Sequence, residues 1–408
     1  MAPQPQRRSC CRDTIMKVAI YGCGQLARMM AEAAHSLGVS VCFLAEPNED
    51  TRCVEHLGTV IRIDPSNPKA SLLGVSDIDA ITVEREQIDL SVLQRLNEEV
   101  PIYPPIEALA KTQHRLKEKS LLTDLNLPTS PWVSSCVEPS IIAKSLRFPV
   151  VIKHPTQGYD GKSQWHAKTL DETVHITSKL TDTAVLIEER INFEFEVSII
   201  AARDQFGDIV CYPVVENQHQ NSILISSIAP APLISAEQQH TLERYASTLL
   251  QELNYVGVLT VECFVTQNGI LINEIAPRVH NSGHWTLQSG LCSQFEQHIR
   301  AVAGMSLVHQ SFPQVYGLVN ILGPVEQDQI PTNKQFEPVW YGKENRPKRK
   351  LGHIALWAAT ETELLREQDA LLAQLYPKEA VRTASLCSDK ALPGAHVIDK
   401  GLTQTLGR

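Results

Sequence analysis

Two glutamates lie on successive apolar, strand-like runs in the second half of the chain. Glu262 belongs to the run GVLTVECFV and Glu274 to the run GILINEIAP, and a Gln267-Asn268-Gly269 turn joins the two runs. Asn-Gly supplies the positive φ angles of a short hairpin turn, so both carboxylates should reach about the same level of paired strands. A carboxylate among apolar neighbours is costly to bury without a cation. The pattern predicts Mg²⁺ bound through both carboxylates; the alternative is two surface-facing glutamates on an edge hairpin.

A loop dense in polar side chains follows the second run. It reads Pro277-Arg278-Val279-His280-Asn281-Ser282-Gly283-His284 and supplies a guanidinium, two imidazoles, an amide and a hydroxyl. Such groups hold phosphates and carboxylates. Each histidine alone would more often be structural, but beside two acids the set favours a binding site for an anion.

Lys153 ends the strand-like run PVVIK and is followed by a glycine-containing segment that extends to Gln164. A fixed cation beside a movable glycine loop suits a nucleoside triphosphate, because the lysine offsets phosphate charge and the loop excludes water. Taken by itself, the segment could equally be an ordinary hairpin turn.

The first turn of the chain, Gly22-Cys23-Gly24-Gln25-Leu26-Ala27, matches the G-x-G-x-x-G/A pattern of dinucleotide-binding proteins. An acidic residue, Glu46, follows about 20 residues on, as that pattern requires. A nicotinamide dehydrogenase is therefore one alternative. The signal is weak, since such turns also occur wherever a strand packs closely on a helix.

The elements that must position these residues follow from hydrophobic periodicity. From Met16 strands alternate with helices, which predicts a parallel, doubly wound sheet. Prolines near Tyr103 interrupt this pattern, and one charged amphipathic helix is predicted over residues 108–125. The middle of the chain is rich in strands, and a few strands and one helix follow Val315. The predicted units are a disordered extension over 1–15, domains over 16–107, 108–310 and 311–384, and a tail over 385–408.

Composition limits the possible functions. The 408 residues carry a net charge of −9, which argues against nucleic acid as a partner, and no apolar run approaches the roughly 18 residues of a membrane span. The ten cysteines form no C-x-x-C pair, and a reducing cytoplasm fits them best.

A family resemblance rests on Lys153, the Gly158-Tyr159-Asp160-Gly161 loop, Glu262, Asn273-Glu274 and the stretch Ala276-Pro277-Arg278-Val279-His280-Asn281-Ser282-Gly283-His284-Trp285. This set resembles the 5-(carboxyamino)imidazole ribonucleotide synthases of the ATP-grasp superfamily. The resemblance implies an α/β and α+β chain with a doubly wound pre-ATP-grasp domain, an ATP-grasp domain and a small C-terminal domain. It also implies a homodimer that uses ATP, Mg²⁺ and bicarbonate to carboxylate 5-aminoimidazole ribonucleotide and passes the product to a mutase.

The resemblance further implies a role for individual residues. Lys111 and Lys153 would bind phosphate, Glu188 to Ile191 (with Glu189 and Arg190) would contact adenine, Glu196 the ribose, and His219 and Asn273 the nucleotide pocket. Glu262 and Glu274 would bind the metal. The loop Gly158, Tyr159, Asp160, Gly161, Lys162, Ser163 and Gln164 would cover ATP, and the ribonucleotide would meet Tyr159, Asp160, Lys162, Gln164, Arg278, His280, Asn281, Ser282, Lys343, Arg346 and Lys350. Catalysis would involve Asp160, Arg278, His280 and Lys350.

Three residues depart from the family pattern: Ala27 replaces a glycine, Lys162 an arginine, and Arg190 a small residue. Other ATP-grasp ligases, such as a glycinamide ribonucleotide transformylase or a biotin carboxylase, share the lysine and the paired acids but should differ at HNSGHWT. A non-catalytic nucleotide sensor is a further alternative, which ADP release would exclude.

Overall fold

The computed structural model describes residues 15–72, 77–156, 163–180, 182–330 and 337–376. The predicted N-terminal extension before Ile15, the tail over 385–408 and the loop residues 157–162 lie outside this part of the chain. Within the described residues, no helix is both long and apolar enough to cross a membrane.

The N-terminal unit contains the predicted doubly wound sheet. Its five parallel strands are ordered β3-β2-β1-β4-β5, so the sheet grows outward in both directions from β1. The fold-class prediction is confirmed here. The elements are β1 (Lys17–Tyr21), α1 (Gln25–Ser36), β2 (Ser40–Ala45), β3 (Thr59–Arg62), α2 (Pro68–Ser71), β4 (Ala80–Val83), α3 (Leu90–Asn97) and β5 (Ile102–Tyr103).

Two helices replace the single helix predicted over residues 108–125, and this prediction was wrong. The helices are α4 (Ile106–Thr112) and α5 (Arg115–Asp124). Between them His114 has extended backbone angles, and the Arg115 amide donates to the Pro155 carbonyl at 2.8 Å. Charge periodicity continues across the break, so the sequence pattern could not reveal a bend that depends on a distant backbone contact.

A four-stranded antiparallel sheet, ordered β6-β9-β7-β8, forms a separate layer with its own apolar core. Lys153 ends β7 and pairs with Gln164, the first residue of β8, so the glycine loop connects two adjacent strands. The elements are β6 (Trp132–Ser134), α6 (Pro139–Ser145), β7 (Val150–Lys153), β8 (Gln164–Ala167), α7 (Leu170–Thr177) and β9 (Leu186–Glu189).

A nine-stranded sheet forms the centre of the molecule, with the order β15-β14-β10-β12-β13-β16-β18-β17 and β11 at the side of β10. Its elements up to the candidate site are β10 (Phe195–Arg203), β11 (Ile209–Cys211), β12 (Val215–Gln220), β13 (Ile223–Ala229), α8 (Ala236–Glu252), β14 (Gly257–Thr266), β15 (Gly269–Ala276), a 3-10 helix (Asn281–Gln288) and α9 (Gln294–Val302).

The C-terminal strands extend this same sheet, because β16 pairs with β13. Helix α10 packs its buried Leu364, Leu371 and Leu372 onto the extension. The remaining elements are β16 (Val315–Leu322), a short 3-10 helix (Gln327–Gln329), β17 (Val339–Trp340), β18 (Lys350–Ala358) and α10 (Glu361–Leu375).

One apolar core joins the N-terminal unit to the central sheet. Met29 and Met30 of α1 pack in the same cluster as Phe295 of α9 and Trp285, and all four are at most 1% exposed. Burying such side chains stabilises the interface by about 1.5–3 kcal/mol each. The N-terminal unit is thereby held firmly beside the loop that follows β15.

Candidate active site

The β14–β15 hairpin places the two predicted acids side by side. The register is regular from Thr266, paired with Gly269, to Cys263, paired with Ile272. A β-bulge then makes Asn273 the extra residue, so that Glu262 pairs directly with Glu274. Paired residues of antiparallel strands point to the same face, and bulges re-aim side chains at such sites. The expectation that both acids reach the same level is confirmed.

Each of these acids is met by a base from another element. Glu262 Oε1 lies 2.8 Å from His280 Nε2, and Glu274 Oε2 lies 2.9 Å from Arg115 Nη1. Burial by itself would raise the pKa of Glu262, but the contact with His280 outweighs it and holds that pKa below its usual range. The Glu262 carboxylate therefore stays ionised, and its oxygens can act as metal ligands.

One face of α5 supplies functional residues that the sequence interpretation missed. Arg115, Glu118 and Lys119 share this face because they are three and four residues apart. The buried Glu118 accepts a hydrogen bond from the Ile275 amide at 3.1 Å. Burial, followed by repulsion from Glu274, raises the pKa of Glu118 to about 8. The spacing of charged residues on a helix beside a predicted site was the signal that could have found them.

Lys153 belongs to a buried network of charges. Glu188 Oε1 lies 2.5 Å from Lys153 Nζ, and Glu188 Oε2 lies 3.0 Å from Lys119 Nζ. Burial opposes ionisation of Glu188, but the two lysines reverse the effect and hold its pKa far below its usual range. Lys153 also approaches Asn273 Oδ1 at 3.5 Å, which connects this network to the bulge beside Glu274.

Glu196 and His219, both predicted for the nucleotide pocket, lie together on the neighbouring strands β10 and β12. Their Oε2 and Nδ1 atoms are 3.0 Å apart. Burial would lower the pKa of His219, but the contact with Glu196 reverses the shift and raises that pKa. The pair therefore places a carboxylate and an imidazole in contact on one face of the central sheet.

Side chains of the donor loop after β15 contact other parts of the protein. Arg278 Nε donates to Glu86 Oε2 at 2.5 Å, and Asn281 exchanges amide hydrogen bonds of 3.0 and 2.8 Å with Asn320. The Ser282 hydroxyl is buried and lies 2.9 Å from His280 Nδ1. Glu86, which follows β4, is another residue that sequence interpretation missed, although its place after a strand beside β1 was a usable signal.

The basic C-terminal stretch reaches the site only in part. Lys350 begins β18, and its charge acts on both His219 and His284. Lys343 lies over the Tyr341 ring, and burial lowers its pKa. Arg346 is exposed on the surface, where its Nη2 lies 2.5 Å from Glu344 Oε2.

Several other predicted nucleotide contacts can be placed. Lys111 lines a groove of about 330 Å³ with Lys117 and Asp124, on the opposite face of α5 from Arg115. The Glu189 carboxylate accepts from the Arg147 amide at 2.8 Å. Arg190 is exposed and Ile191 is half-buried after β9. The Ser163 carbonyl accepts from the His154 amide, and Gln164 pairs with Lys153. Gly158, Tyr159, Asp160, Gly161 and Lys162 lie outside the described residues.

The glycine-rich first turn surrounds an internal carboxylate. Glu84 accepts hydrogen bonds from the Gly24 amide at 2.6 Å and the Leu26 amide at 3.2 Å. A Cβ atom on Gly24 would overlap the Glu84 carboxylate, so glycine is needed there for space. Glu46 pairs with Arg85 at 2.9 Å. The two features that suggested a nicotinamide cofactor are thus engaged within the protein.

The arrangement of donors fits Mg²⁺ bound together with a nucleotide. Among the described residues, no group of three or more His, Cys, Asp and Glu side chains forms a self-sufficient metal site. Mg²⁺ usually binds one or two carboxylates together with substrate phosphates and water. Two opposed carboxylates beside Lys153 match that requirement.

Three family models match successive parts of the chain. They are the ribonucleotide synthetase preATP-grasp domain over residues 15–113, the ATP-grasp domain over 120–295 and the phosphoribosylaminoimidazole carboxylase C-terminal domain over 317–367.

Relatives of the same kind match nearly the whole chain. The N5-carboxyaminoimidazole ribonucleotide synthase of Pseudomonas aeruginosa is 36% identical and covers 88% of this chain and 99% of that protein. The crystal structure of the synthetase from Thermus thermophilus is 34% identical with a TM-score of 0.80, covering 88% of this chain and 98% of that one. The structure from Aspergillus clavatus, in complex with ADP and 5-aminoimidazole ribonucleotide, is 26% identical with a TM-score of 0.78 and covers the same shares.

Proposed function

Because the chain belongs to the N5-carboxyaminoimidazole ribonucleotide synthase family, we propose that it couples ATP cleavage to carboxylation of 5-aminoimidazole ribonucleotide by bicarbonate. The products are ADP, phosphate and 5-(carboxyamino)imidazole ribonucleotide, an intermediate of purine biosynthesis. The observation that carries the proposal is the direct pairing of Glu262 with Glu274, next to Lys153 on one side and the His280 loop on the other.

The chemistry requires activation of bicarbonate, which is a poor electrophile. In the first step, a bicarbonate oxygen forms a bond to the γ-phosphorus of ATP while the bond from that phosphorus to the β-phosphate oxygen breaks. Carboxyphosphate and ADP result. In the second step, the exocyclic amine bonds to the carboxyl carbon, phosphate leaves, and the amine loses a proton. Release of CO₂ from carboxyphosphate before capture is the alternative order.

The nucleotide side of the site is assigned to the lysine network and the Glu196–His219 pair. Lys153 offsets phosphate charge, and its contacts with Glu188 and Asn273 hold it in place. Mg²⁺, when bound to Glu262 and Glu274, neutralises part of the phosphate charge. The loop over residues 157–164 is proposed as the cover that excludes water from the intermediate.

The ribonucleotide side is assigned to the loop after β15. Arg278, fixed by Glu86, presents its guanidinium to the sugar phosphate. Asp160 and His280 handle or position protons near the amine and bicarbonate, and Lys350 stabilises carboxylate charge. Tyr159, Lys162, Gln164, Asn281, Lys343 and Arg346 complete the proposed ribonucleotide contacts.

The assembly and location follow the same family assignment. A homodimer, transfer of the product to a mutase and residence in the cytoplasm are proposed. The seven cysteines in the described part of the chain all carry free thiols, in keeping with a reducing compartment.

An ADP-release assay tests the function directly. We expect ADP release when ATP, Mg²⁺, bicarbonate and aminoimidazole ribonucleotide are all present. Omitting any one of the four should abolish it. ADP release that is unchanged without the ribonucleotide would contradict the proposal. The Glu98→Gln variant, altered at an exposed ion pair with Lys69 in the N-terminal unit, serves as an active control for the Glu274→Gln variant.

A further inference from the structure

A chain of three buried polar side chains lies behind His280. Ser282 Oγ is 2.9 Å from His280 Nδ1, Ser198 Oγ is 2.7 Å from Ser282 Oγ, and Asn217 Nδ2 donates to Ser198 Oγ at 3.0 Å. Ser198 and Ser282 are 0% exposed and Asn217 is 7% exposed. This series of hydrogen bonds therefore runs from strand β12 through β10 to the histidine within the protein interior.

The direction of these hydrogen bonds follows from the groups that can only donate. The Ser282 amide donates to His280 Nδ1 at 3.3 Å, so Nδ1 acts as an acceptor. The ring proton then belongs to Nε2, which faces Glu262 Oε1 at 2.8 Å. At the other end, the Asn217 amide donates to Ser198. Each hydroxyl has one hydrogen and two acceptor positions, so the Ser282 hydroxyl can donate to Nδ1 while it accepts from Ser198.

The central sheet ties both ends of the imidazole to one strand pair. Ser198 on β10 pairs directly with Glu262 on β14. Glu262 accepts from Nε2, and Ser198 acts on Nδ1 through Ser282. If these hydroxyls needed only to be hydrogen-bonded, many other partners would serve. Here the partners engage both nitrogens of a ring that contacts a proposed metal ligand. In other sites, an outer hydrogen bond of this kind sets the orientation of a histidine.

We infer that Ser198, Ser282 and Asn217 are positioning residues that hold the His280 ring with its Nε2 hydrogen directed at Glu262. The inference rests on the proposed function, which places His280 and Glu262 at the reacting groups. Ser198 is the residue to change, because it does not contact His280 directly and is not itself assigned to any substrate.

Ser198→Ala removes the middle of the chain and frees the Ser282 hydroxyl to rotate. Loss of an outer hydrogen bond of this kind costs about 10–100-fold in activity. We expect kcat for ribonucleotide-dependent ADP release to fall about tenfold or more, while the KM values for ATP and ribonucleotide change less than about twofold. Ser198→Thr, which keeps the hydroxyl on a strand, should restore most of the lost kcat.

Ser226→Ala is the matched control. Ser226 is also a buried serine of the central sheet, 2% exposed, and its hydroxyl donates to Gln218 Oε1 at 2.8 Å. We expect this variant to lower the thermal midpoint about as much as Ser198→Ala does, with kcat unchanged. An equal loss of kcat in both variants would mean that Ser198 acts only through stability and would overturn the inference.

A second readout does not depend on turnover. In protein labelled with ¹⁵N-histidine, the His280 signals are assigned by their loss in His280→Gln. The wild-type protein should show a protonated Nε2 and an acceptor Nδ1, and Ser198→Ala should shift the tautomer ratio toward Nδ1–H. An unchanged tautomer together with kcat within about twofold of wild type would refute the positioning role. Absence of ribonucleotide-dependent turnover in the wild type would instead refute the proposed function.

Discussion

The sharpest test of the site concerns Glu188, the carboxylate that bridges the buried Lys119 and the partly buried Lys153. Glu188→Gln keeps the shape of the side chain but changes the net charge of the group formed with Lys119 and Lys153 from +1 to +2. Lys119 is only 1% exposed. In the variant, the remaining partners of its ammonium would all be neutral acceptors: Thr129 Oγ1 at 2.6 Å, Ser130 Oγ at 3.2 Å and the Asn273 carbonyl at 3.2 Å.

The size of the effect follows from the burial of these charges. Removing one partner of a buried ion pair costs about 3–5 kcal/mol, because the remaining charge is left uncompensated. Three neutral acceptors partly solvate Lys119, so we expect about 3 kcal/mol, near the lower end of that range. This corresponds to roughly a hundredfold increase in the unfolding equilibrium constant.

Urea denaturation without nucleotide, followed by tryptophan fluorescence, measures this change. Glu189→Gln is the control, since Glu189 pairs with Arg147, whose side chain is 89% exposed, and such a pair contributes less than about 1 kcal/mol. The same urea midpoint for Glu188→Gln and Glu189→Gln would refute the network argument.

The pH dependence gives a check on sign. The pKa of Glu188 is lowered in the folded protein, so its contribution to stability is complete above the unfolded-state pKa of about 4.3. The contribution is lost as pH falls through the lower folded-state pKa. The stability gap between wild type and Glu188→Gln should therefore be constant near pH 7 and shrink only in acid.

Three further predictions concern the acid pair, the donor loop and the first turn. Glu274→Gln should reduce ADP release at least about a hundredfold. Its stability should be nearly unchanged, because the ion pair between Glu274 and Arg115 is partly exposed and worth about 1 kcal/mol or less. Retained turnover would count against the metal assignment. Arg278→Ala should raise the KM for the ribonucleotide about 10–100-fold, because a charge-assisted contact worth about 1.5–3 kcal/mol is lost. The KM for ATP should stay nearly unchanged. An unaltered ribonucleotide KM would argue against this role. Gly24→Ala should destabilise the protein by about 1–3 kcal/mol through overlap with Glu84, and a wild-type melting temperature would show that the turn can adapt.

Local patterns in the sequence were enough to predict much of the fold. The run from Met16 to Gly38 shows a change from strand to helix periodicity within one segment, and the parallel sheet follows from it. The β14–β15 hairpin could equally be predicted, since Asn268-Gly269 marks its turn. Helix α10 coincides with the predicted run ETELLREQDALLAQL.

Tertiary contacts decided the features that the sequence did not reveal. The bulge at Asn273 determines that Glu262 faces Glu274, yet no residue type marks it, because Asn273 is bulged by its contacts with Lys119 and Lys153. Arg115 takes part because α5 begins at a break that depends on Pro155. Lys111, predicted from a resemblance, belongs to the preceding helix, α4, and lines a groove on the opposite side of α5 from Arg115.

A site that binds both a divalent cation and a triphosphate must hold both signs of charge at short range. Five acids here are each paired with a base from a different element: Glu86 with Arg278, Glu188 with Lys119 and Lys153, Glu196 with His219, Glu262 with His280, and Glu274 with Arg115. Such pairing offsets the cost of burying each charge, but only when both partners are present. Because the partners come from all the layers of the protein, the charges that would bind ATP and metal can be buried together only after the whole chain has folded.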